Sequence, residues 1–439
     1  MPDRRKVVLI VIDGLTPSVF EDGVRRGTTP ALAFLAEHGS YRRAASVFPS
    51  LTPVCLSSIA TGAYPEVHRI PHLVWWNRAD RRLVEYGSSF GAIRAAGLSR
   101  SILDTIFELN ARHLSRDAVT LYESVEDEGL TAAAINITCD RGRHRHRTTI
   151  PGVTKTAYGP KRFFFYSLFE SDPTGAPLAV RNRGGGSIDA YAAMVGRWLV
   201  TRDGFDCLVY YLSDLDYASH SLGPDNVGEA LERADGAVGA LLAAAGGPDE
   251  FLARYDVVVC SDHGQTRVDQ VVSLHEELAT VPGVLVAASN RAGQLYRLDE
   301  RAPGPRSLAE RLDGVAGVET AIFLEDGEPV VRRDGVDVPI AQLDYPDAEA
   351  RIGGALWNAN AGEVLVSASP GYEFADLGGR HHSGGGSHGS LSAGDSEVPM
   401  LTVGIDASPG SITAVAPAIL GHLGIAPPAY ARRSVGPVR

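Results

Sequence analysis

Cysteine is scarce in this chain, with only four among 439 residues. They lie far apart and form no CxxC pair, the spacing of a sulfur-bound zinc site. Three of them lie in or beside apolar segments, so buried thiols are favoured over disulfides. The four are Cys55, Cys139, Cys207 and Cys260.

Long apolar runs are also absent. No stretch approaches the ~20 apolar residues of a membrane-spanning helix. The first apolar run covers only residues 7–12, which is short for the apolar region of a secretory signal, roughly 7–15 residues. It ends in Asp13-Gly14, so cleavage after it would disrupt a candidate site. We therefore expect no membrane span, and a cytoplasmic location.

Positive charge is in deficit, because 41 basic residues stand against 53 acidic ones and give a net charge of −12. This balance argues against binding a nucleic-acid polymer by phosphate neutralisation. A small phosphorylated substrate remains compatible with the charge, since bound metal ions can supply local positive charge. Composition leaves the oligomeric state open.

Short β-branched runs alternate with helical patterns. Residues 7–12, 132–137, 207–212 and 257–260 have the continuous apolar character of strands buried on both faces. Helices are expected at residues 29–38, 53–61, 188–201 and 228–245. The alternation predicts an α/β fold with a doubly wound, mostly parallel sheet.

Two regions depart from this alternation. Residues 78–185 are mixed and loop-rich, and they include a basic run at 141–147. Residues 275–375 predict a small inserted α+β lobe of β-α-β-β type, with strands near 294–298 and 319–324. The main core is then expected to comprise residues 1–274 and 376–439.

Six carboxylates and imidazoles follow the predicted strands or lie in a glycine-rich loop near residues 378–389. Ligands of doubly wound sheets bind beyond the carboxyl ends of the strands, so these side chains are expected to converge. Oxygen and nitrogen ligands without sulfur suit Zn²⁺, or Mn²⁺, in a catalytic site. The six are Asp13, Asp216, His220, Asp262, His263 and His388.

Three neighbours compete for places in this set. Asp214 rivals Asp216, but Asp216 lies four residues before His220 and therefore on the same side of a helical turn. His381 and His382 rival His388.

Thr52 is placed as a hydroxyl nucleophile would be, in Phe48-Pro49-Ser50-Leu51-Thr52-Pro53. Because proline favours the first position of a helix, Thr52 is the expected N-cap. Capping alone would explain the residue. A helix N-terminus also favours a bound phosphoryl group, and a bound metal would activate the hydroxyl for attack.

The ordered motifs resemble the alkaline phosphatase superfamily, and within it the type I phosphodiesterase/nucleotide pyrophosphatase family. The resemblance implies that Asp13, Thr52, Asp262 and His263 hold one zinc ion, and that Asp216, His220 and His388 hold a second. It also implies a phospho-threonine intermediate on Thr52. The motifs are Asp13-Gly14, Phe48-Pro-Ser-x-Thr52, Thr61-Gly62-x-Tyr-Pro65-x-x-His68, Asp216-x-x-x-His220, Asp262-His263-Gly264 and His388-Gly389.

The sequence departs from the family where an asparagine would contact a phosphoryl oxygen. Leu73 stands near that position, so we expect either that His72 or Asn77 replaces this donor or that the site prefers a different ester. The basic run is either a solvated loop or a source of arginines for the substrate phosphate, with Arg143 as the candidate.

The sequence thus predicts a two-metal hydrolase of phosphoric esters, most directly a phosphodiesterase or nucleotide pyrophosphatase acting on a small substrate. A phosphomonoesterase or phosphonate hydrolase with the same metal site is the alternative. A binding protein with a degenerate site is disfavoured because the ligand set and Thr52 are intact.

Overall fold

The computed structural model describes residues 5–150, 152–171, 187–379 and 382–432. Its largest sheet has eight strands, and the four predicted strands are all among them. Neighbouring strands at its centre run parallel, and those at its two ends include antiparallel pairs. In spatial order the strands are Ser40–Ala45, Glu397–Val403, Tyr255–Cys260, Lys6–Ile12, Cys207–Leu212, Ala132–Ile135, Arg162–Phe165 and Phe169–Glu170.

The strand Lys6–Ile12 lies at the centre because both of its faces are apolar. Val7, Leu9 and Val11 belong to one buried cluster, and Val8 and Ile10 belong to another on the opposite face. Helices cover both clusters, which is why no polar face alternates along this strand. The predicted α/β class with a doubly wound, mostly parallel sheet is confirmed.

The helices that cover this sheet and connect its strands agree closely with those predicted. The helix expected at 188–201 has the same bounds, and the other three differ by one residue at one or both ends. These helices are Pro17–Arg26, Pro30–Glu37, Thr52–Thr61, Pro65–His68, Leu121–Asp127, Ile188–Thr201, Asp214–Leu222, Gly228–Ala244, Pro248–Arg254, Ala393–Ser396 and Val415–His422.

The described part of the region 78–185 is more regular than expected; residues 151 and 172–185 lie outside the described residues. The described part contributes three strands to the main sheet and contains a π-helix, Asp104–His113, next to two α-helices, Phe90–Ala96 and Leu98–Leu103. Two small hairpins lie in or beside it. They pair Val74–Asn77 with Arg82–Glu85 and His144–Arg147 with Thr156–Gly159.

A second sheet of six antiparallel strands occupies the predicted lobe. It has more strands than the expected β-α-β-β unit, because the short runs before and after the recognised ones also pair. One helix, Pro305–Leu312, packs on one face, and Ala348–Leu356 packs on the other with Phe48 and Leu391. The strands are Val284–Ser289, Ala292–Arg297, Val364–Ala368, Val318–Glu325, Glu328–Arg333 and Val336–Val338.

The chain between this second sheet and the main core forms a three-stranded sheet of Gly371–Phe374, Thr266–Val272 and Gly386–Ser387. A short helix, Leu274–Glu277, follows its central strand. The proposed domain limits at 274/275 and 375/376 fall within this junction and stay predictions.

Buried thiols are confirmed, since all four cysteines are buried and free. Among the described helices, none combines the length and the apolarity needed to cross a membrane.

Candidate active site

Three carboxylates meet where neighbouring strands of the main sheet end. Asp13 follows Lys6–Ile12, and Asp262 closely follows the adjacent strand Tyr255–Cys260. Asp216 lies in the helix that begins at Asp214, directly after the strand on the other side of Lys6–Ile12. The fold therefore brings together residues that lie more than 240 positions apart in sequence, as the strand-end argument predicted.

Asp13, Asp262 and His263 form one compact group whose ligand atoms all lie within 4.8 Å of one another. The Nε2 atom of His263 is 3.2 Å from Oδ1 of Asp13 and 3.5 Å from Oδ2 of Asp262. The hydroxyl of Thr52 is 3.2 Å from the same Nε2 atom. These are the four residues that the family resemblance assigns to one metal.

Asp216 and His388 form a second group with His263, again within 4.8 Å. The rings of His263 and His388 stack with centroids 3.5 Å apart. Nε2 of His220 is 3.2 Å from Oδ2 of Asp216, and its Nδ1 lies 2.8 Å from the carbonyl oxygen of Gly386. His263 thus bridges the two groups, whereas the resemblance assigns it to the first alone.

Burial and mutual repulsion perturb these acids. Burial raises the pKa of Asp13 well above its usual value, and the charges of Asp262 and Asp216 raise it further. Burial also raises the pKa of Asp262. For Asp216 the effect of burial is outweighed by His220 and His388, so its pKa is lowered.

The imidazoles respond in opposite directions. Burial, followed by the charge of His263, holds the pKa of His388 well below its usual value. Burial would also lower the pKa of His220, but Asp216 outweighs it and the pKa is raised.

The group fits a divalent cation. Oδ1 of Asp13 and Oδ2 of Asp262 are buried oxygens that have no hydrogen-bond partner among the described residues. Buried carboxylates require hydrogen bonds or a cation, and repulsion among three of them is relieved by positive charge. The donor set of carboxylate oxygens and imidazole nitrogens suits zinc or manganese.

Thr52 is the first residue of its helix, not the residue before it. Leu51 occupies the cap position with extended backbone and makes no side-chain capping bond. The predicted N-cap was therefore wrong by one residue, because the buried side chain of Leu51 takes the preceding position. As a result the Thr52 hydroxyl faces His263.

A cavity of about 740 Å³ opens from the two groups. Thr52, Asp13 and Asp216 line one end, together with His220 and His388. The remainder of its wall is largely aromatic, apolar or hydroxylated. None of the described residues that line it is lysine or arginine. These wall residues include Leu73, Tyr86, Ser88, Phe90, Leu109, Phe165, Tyr166 and Tyr217.

His72, Asn77 and Arg143 are not among the described residues that line this cavity. His72 is buried and its Nδ1 accepts a bond from the backbone of Val74 at 3.0 Å. Asn77 exchanges hydrogen bonds with Asp80 in a hairpin turn.

Arg143 forms two bonds with the carboxylate of Asp127, at 2.9 and 2.7 Å, and one with Glu123 at 2.9 Å. Arg141 is buried and also binds Glu123. These contacts favour a structural role for the basic run over the expected contact with substrate.

The rivals for the ligand positions also have defined places. Asp214 accepts bonds from the backbone N–H groups of Ile188 and Asp189, both at 3.3 Å. The Nδ1 atom of His382 is 2.9 Å from Oε2 of Glu373, and its ring stacks on His220 at 4.1 Å. His381 lies outside the described residues.

Three further polar residues contact the site, and none of the three was predicted from the sequence. The hydroxyl of Tyr211 donates to Asp13, and the amide of Gln265 donates to Asp216. Asn290 enters from the second sheet, with Nδ2 3.1 Å from Nε2 of His388. Two of them could have been found from the sequence. Tyr211 lies next to a strand end, and Gln265 directly follows Asp262-His263-Gly264.

Asp189 supports the helix that carries Asp216. Its Oδ1 accepts bonds from the backbone N–H groups of Ser213 at 2.8 Å and Asp214 at 3.2 Å. Burial, and then the charge of Asp214, raise the pKa of Asp189 to about 7. In an unfolded chain the same carboxyl has a pKa of about 3.9.

The substitution Asp189→Asn is expected to raise the free energy of unfolding more at pH 8 than at pH 5. The stability contributed by protonated Asp189 is present below about pH 4 and is lost as the pH rises through about 7. Asparagine does not ionise, and its oxygen can still accept the two N–H bonds. The gain is a few kcal/mol, at about 1.4 kcal/mol per pKa unit. Urea unfolding at both pH values measures it, with the exposed Asp225→Asn as control; an equal change at both would contradict it.

Comparison with known proteins gave one family and many structures of the same fold. The sequence matches the family model described as type I phosphodiesterase / nucleotide pyrophosphatase over residues 7–391. A search of curated proteins returned no significant match.

Two solved structures represent the similarity of fold. Phosphonoacetate hydrolase from Sinorhizobium meliloti 1021, in complex with phosphonoformate, superposes with a TM-score of 0.64 at 16% identity over 96% of each chain. An inactive form of murine ectonucleotide pyrophosphatase/phosphodiesterase 5, in complex with AMP, gives a TM-score of 0.64 at 14% identity, also over 96% of each chain.

Proposed function

Because this chain belongs to the type I phosphodiesterase/nucleotide pyrophosphatase family, we propose that it hydrolyses small soluble phosphodiesters or pyrophosphates in the cytoplasm, with Thr52 as nucleophile. Family membership confirms the resemblance inferred from the motifs, and with it an enzyme that acts on phosphoric ester bonds. The observation that carries the proposal for Thr52 is its hydroxyl, 3.2 Å from His263 at one end of the cavity and beside both acidic groups.

Two metal ions, most simply zinc with manganese as the alternative, complete the proposed site. One ion would be held by Asp13, Thr52, Asp262 and His263. The other ion would be held by a second set of three residues. When bound, such ions lower the pKa of an attacking hydroxyl and stabilise the charge on the leaving oxygen. The second set is Asp216, His220 and His388.

The reaction then proceeds in two balanced steps. Oγ of Thr52 forms a bond to phosphorus while the bond from phosphorus to the leaving oxygen breaks. The hydroxyl proton is released, and the leaving group departs after taking up one proton. Water next attacks phosphorus in phospho-Thr52, and its oxygen forms a bond to phosphorus while the bond from phosphorus to Oγ1 of Thr52 breaks. One proton of the water restores the Thr52 hydroxyl, and the phosphate product is released with the remaining O–H. Tyr211 and Gln265 hold Asp13 and Asp216 in place through their hydrogen bonds.

The wall of the cavity supports a diester more than a monoester. A monoester dianion concentrates charge on its terminal oxygens and benefits from a nearby cation. The described lining residues include no lysine or arginine, and the basic residues Arg141 and Arg143 bind acidic partners elsewhere. A diester carries less charge and an extra substituent, which the neutral wall near Leu73 and Phe165 can accommodate.

Hydrolysis of paired aryl esters tests this function. We expect kcat/KM for bis(p-nitrophenyl) phosphate to exceed that for p-nitrophenyl phosphate by about tenfold or more at one pH and metal loading, since the neutral wall disfavours the dianion. Phosphate release from phosphonoacetate gives the third comparison. The Thr52→Ala protein, purified in the same way, controls for contaminating phosphatases. A tenfold preference for the monoester or the phosphonate would favour the alternative function.

A further inference from the structure

Asn290 enters the cavity from the second sheet. It lies between the paired strands Val284–Ser289 and Ala292–Arg297, at the turn of their hairpin. Its backbone has φ of 56°, a left-handed conformation that asparagine adopts more readily than most residues. The side chain is only 6% exposed and lines the cavity together with Thr52 and His388. The hairpin is therefore part of the wall around the reacting atoms.

The hydrogen bonds around Asn290 define which end of its amide faces His388. Nδ1 of His388 lies 2.8 Å from the carbonyl oxygen of Ser50, which can only accept, so Nδ1 carries the proton. With the proton on Nδ1, the neutral imidazole presents Nε2 as an acceptor. The group 3.1 Å from it must be the donor, Nδ2 of Asn290. The oxygen Oδ1 accepts a bond from the hydroxyl of Ser289 at 2.9 Å.

The position of this amide is fixed by buried contacts on both sides. The carbonyl oxygen of Asn290 accepts a bond from the backbone of Phe374 at 2.6 Å, and the backbone N–H of Arg291 donates to the carbonyl of His388 at 2.8 Å. The guanidinium of Arg291 binds Asp395 at 2.6 Å, and neither side chain is exposed. A donor held in this way needs no rearrangement to meet developing charge.

Asn290 also has donor capacity beyond its bond to His388. The donors of Tyr211 and Gln265 are directed at the acids Asp13 and Asp216. An asparagine amide has two N–H groups, and His388 can accept only one. In the proposed site His388 would give its Nε2 lone pair to a metal, which leaves the amide N–H groups for an anionic oxygen.

We propose that Asn290 binds the phosphoryl group, with Nδ2–H donating to a non-bridging oxygen of the substrate. This inference rests on the proposed function and assigns the second sheet a direct contact with the reacting group. Leu73, which also lines the cavity, has no such donor. The neutral amide adds no charge, in keeping with a diester substrate.

The test removes the side chain without straining the backbone. Glycine adopts positive φ freely, so Asn290→Gly keeps the turn, and Asn290→Asp keeps the size but replaces the donor by an acceptor. For Asn290→Gly we expect kcat/KM for bis(p-nitrophenyl) phosphate to fall by about 10²-fold, as for loss of one oxyanion donor. The affinity of the zinc-loaded protein for inorganic phosphate, measured by calorimetry, should fall about tenfold, with zinc content unchanged. Asn290→Asp should weaken phosphate binding at least as much.

The control is Asn226→Gly, which removes an exposed side chain whose amide donates to the carbonyl of Leu222. Unchanged turnover and phosphate affinity in the Asn290 variants would overturn the inference, and so would loss of zinc, which would make Asn290 a support for the metal site. If the wild type does not hydrolyse the diester, the proposed function fails separately. In that case a lower phosphate affinity of the Asn290 variants than of the wild type still supports the inference. A wild-type protein that binds no phosphate would contradict it.

Discussion

Replacing Thr52 by alanine is expected to lower kcat for a phosphodiester by at least about 10³-fold, as loss of a catalytic nucleophile does. The hydroxyl lies 3.2 Å from Nε2 of His263, whereas the helix makes no use of it as a cap. Six charged or imidazole ligands remain in the variant, so its metal content should stay close to that of the wild type. Steady-state kinetics and elemental analysis of the same preparations provide the two measurements.

Thr52→Ser is the matched control, because it keeps a hydroxyl at the same place and should retain much of the activity. Mass spectrometry of the acid-quenched wild type should find a phosphoryl group on Thr52 during turnover. Near-normal activity of Thr52→Ala would show instead that water attacks phosphorus directly.

Replacing either Asp13 or Asp216 by asparagine is expected to remove one of two bound metal ions. Asp13 belongs to one compact group and Asp216 to the other. Asparagine has nearly the same shape but lacks the negative charge that a divalent ion requires. Activity should fall by about 10² or more, since in the proposed site each ion would stabilise a different oxygen of the displacement. Elemental analysis should give about two equivalents for the wild type and about one for each variant.

Asp214→Asn separates metal binding from general effects of charge. It lies two residues from Asp216, yet its carboxylate binds backbone N–H groups at the start of the helix Ile188–Thr201. An amide oxygen can accept the same bonds, so both ions should remain. Loss of an ion from Asp214→Asn, with none from Asp216→Asn, would reverse the assignment of these two acids.

The sequence predicted the parts of the site that follow from strand order. A buried apolar run that ends in Asp13 or Asp262 defines both a strand and the edge at which its carboxylate lies. The pairing of Lys6–Ile12 with strands on both sides then brings the acids together. The apolar pattern alone carries this information, because each strand is buried on both faces.

Apolar runs and strand order do not predict which residues of the second sheet contact the site. Asn290 reaches His388 because a hairpin folds back across the site, and no periodicity in the sequence marks the place where it turns. His72 and Asn77 were predicted as substitute donors because they lie close to Leu73 in sequence. His72 is buried against the backbone of Val74. Asn77 is held by Asp80 in its own turn.

The start of the helix at Thr52 decides between two chemical roles for the Thr52 hydroxyl. Pro53 predicted a helix that begins at residue 53, whereas the helix begins at Thr52. The Thr52 hydroxyl therefore faces an imidazole and does not accept a bond from a backbone N–H of the described residues. Sequence signals for helix ends rarely resolve a single residue. The distinction came from the side-chain contact alone.

The position of Glu397–Val403 between Ser40–Ala45 and Tyr255–Cys260 affects how the protein folds during its synthesis. From residue 45 to residue 397 the ribosome must add 352 residues (397 minus 45), which takes about 20 to 70 s at 5–20 residues per second. Throughout this interval the strand Ser40–Ala45 lacks its neighbour. Its exposed Arg42 and Arg43 place positive charge on that edge, and such charge opposes pairing with another nascent chain. In the finished fold Arg43 binds Glu21, and Glu397 of the arriving strand lies 3.4 Å from Arg43, so the last strand brings a carboxylate to the edge that the arginines protect.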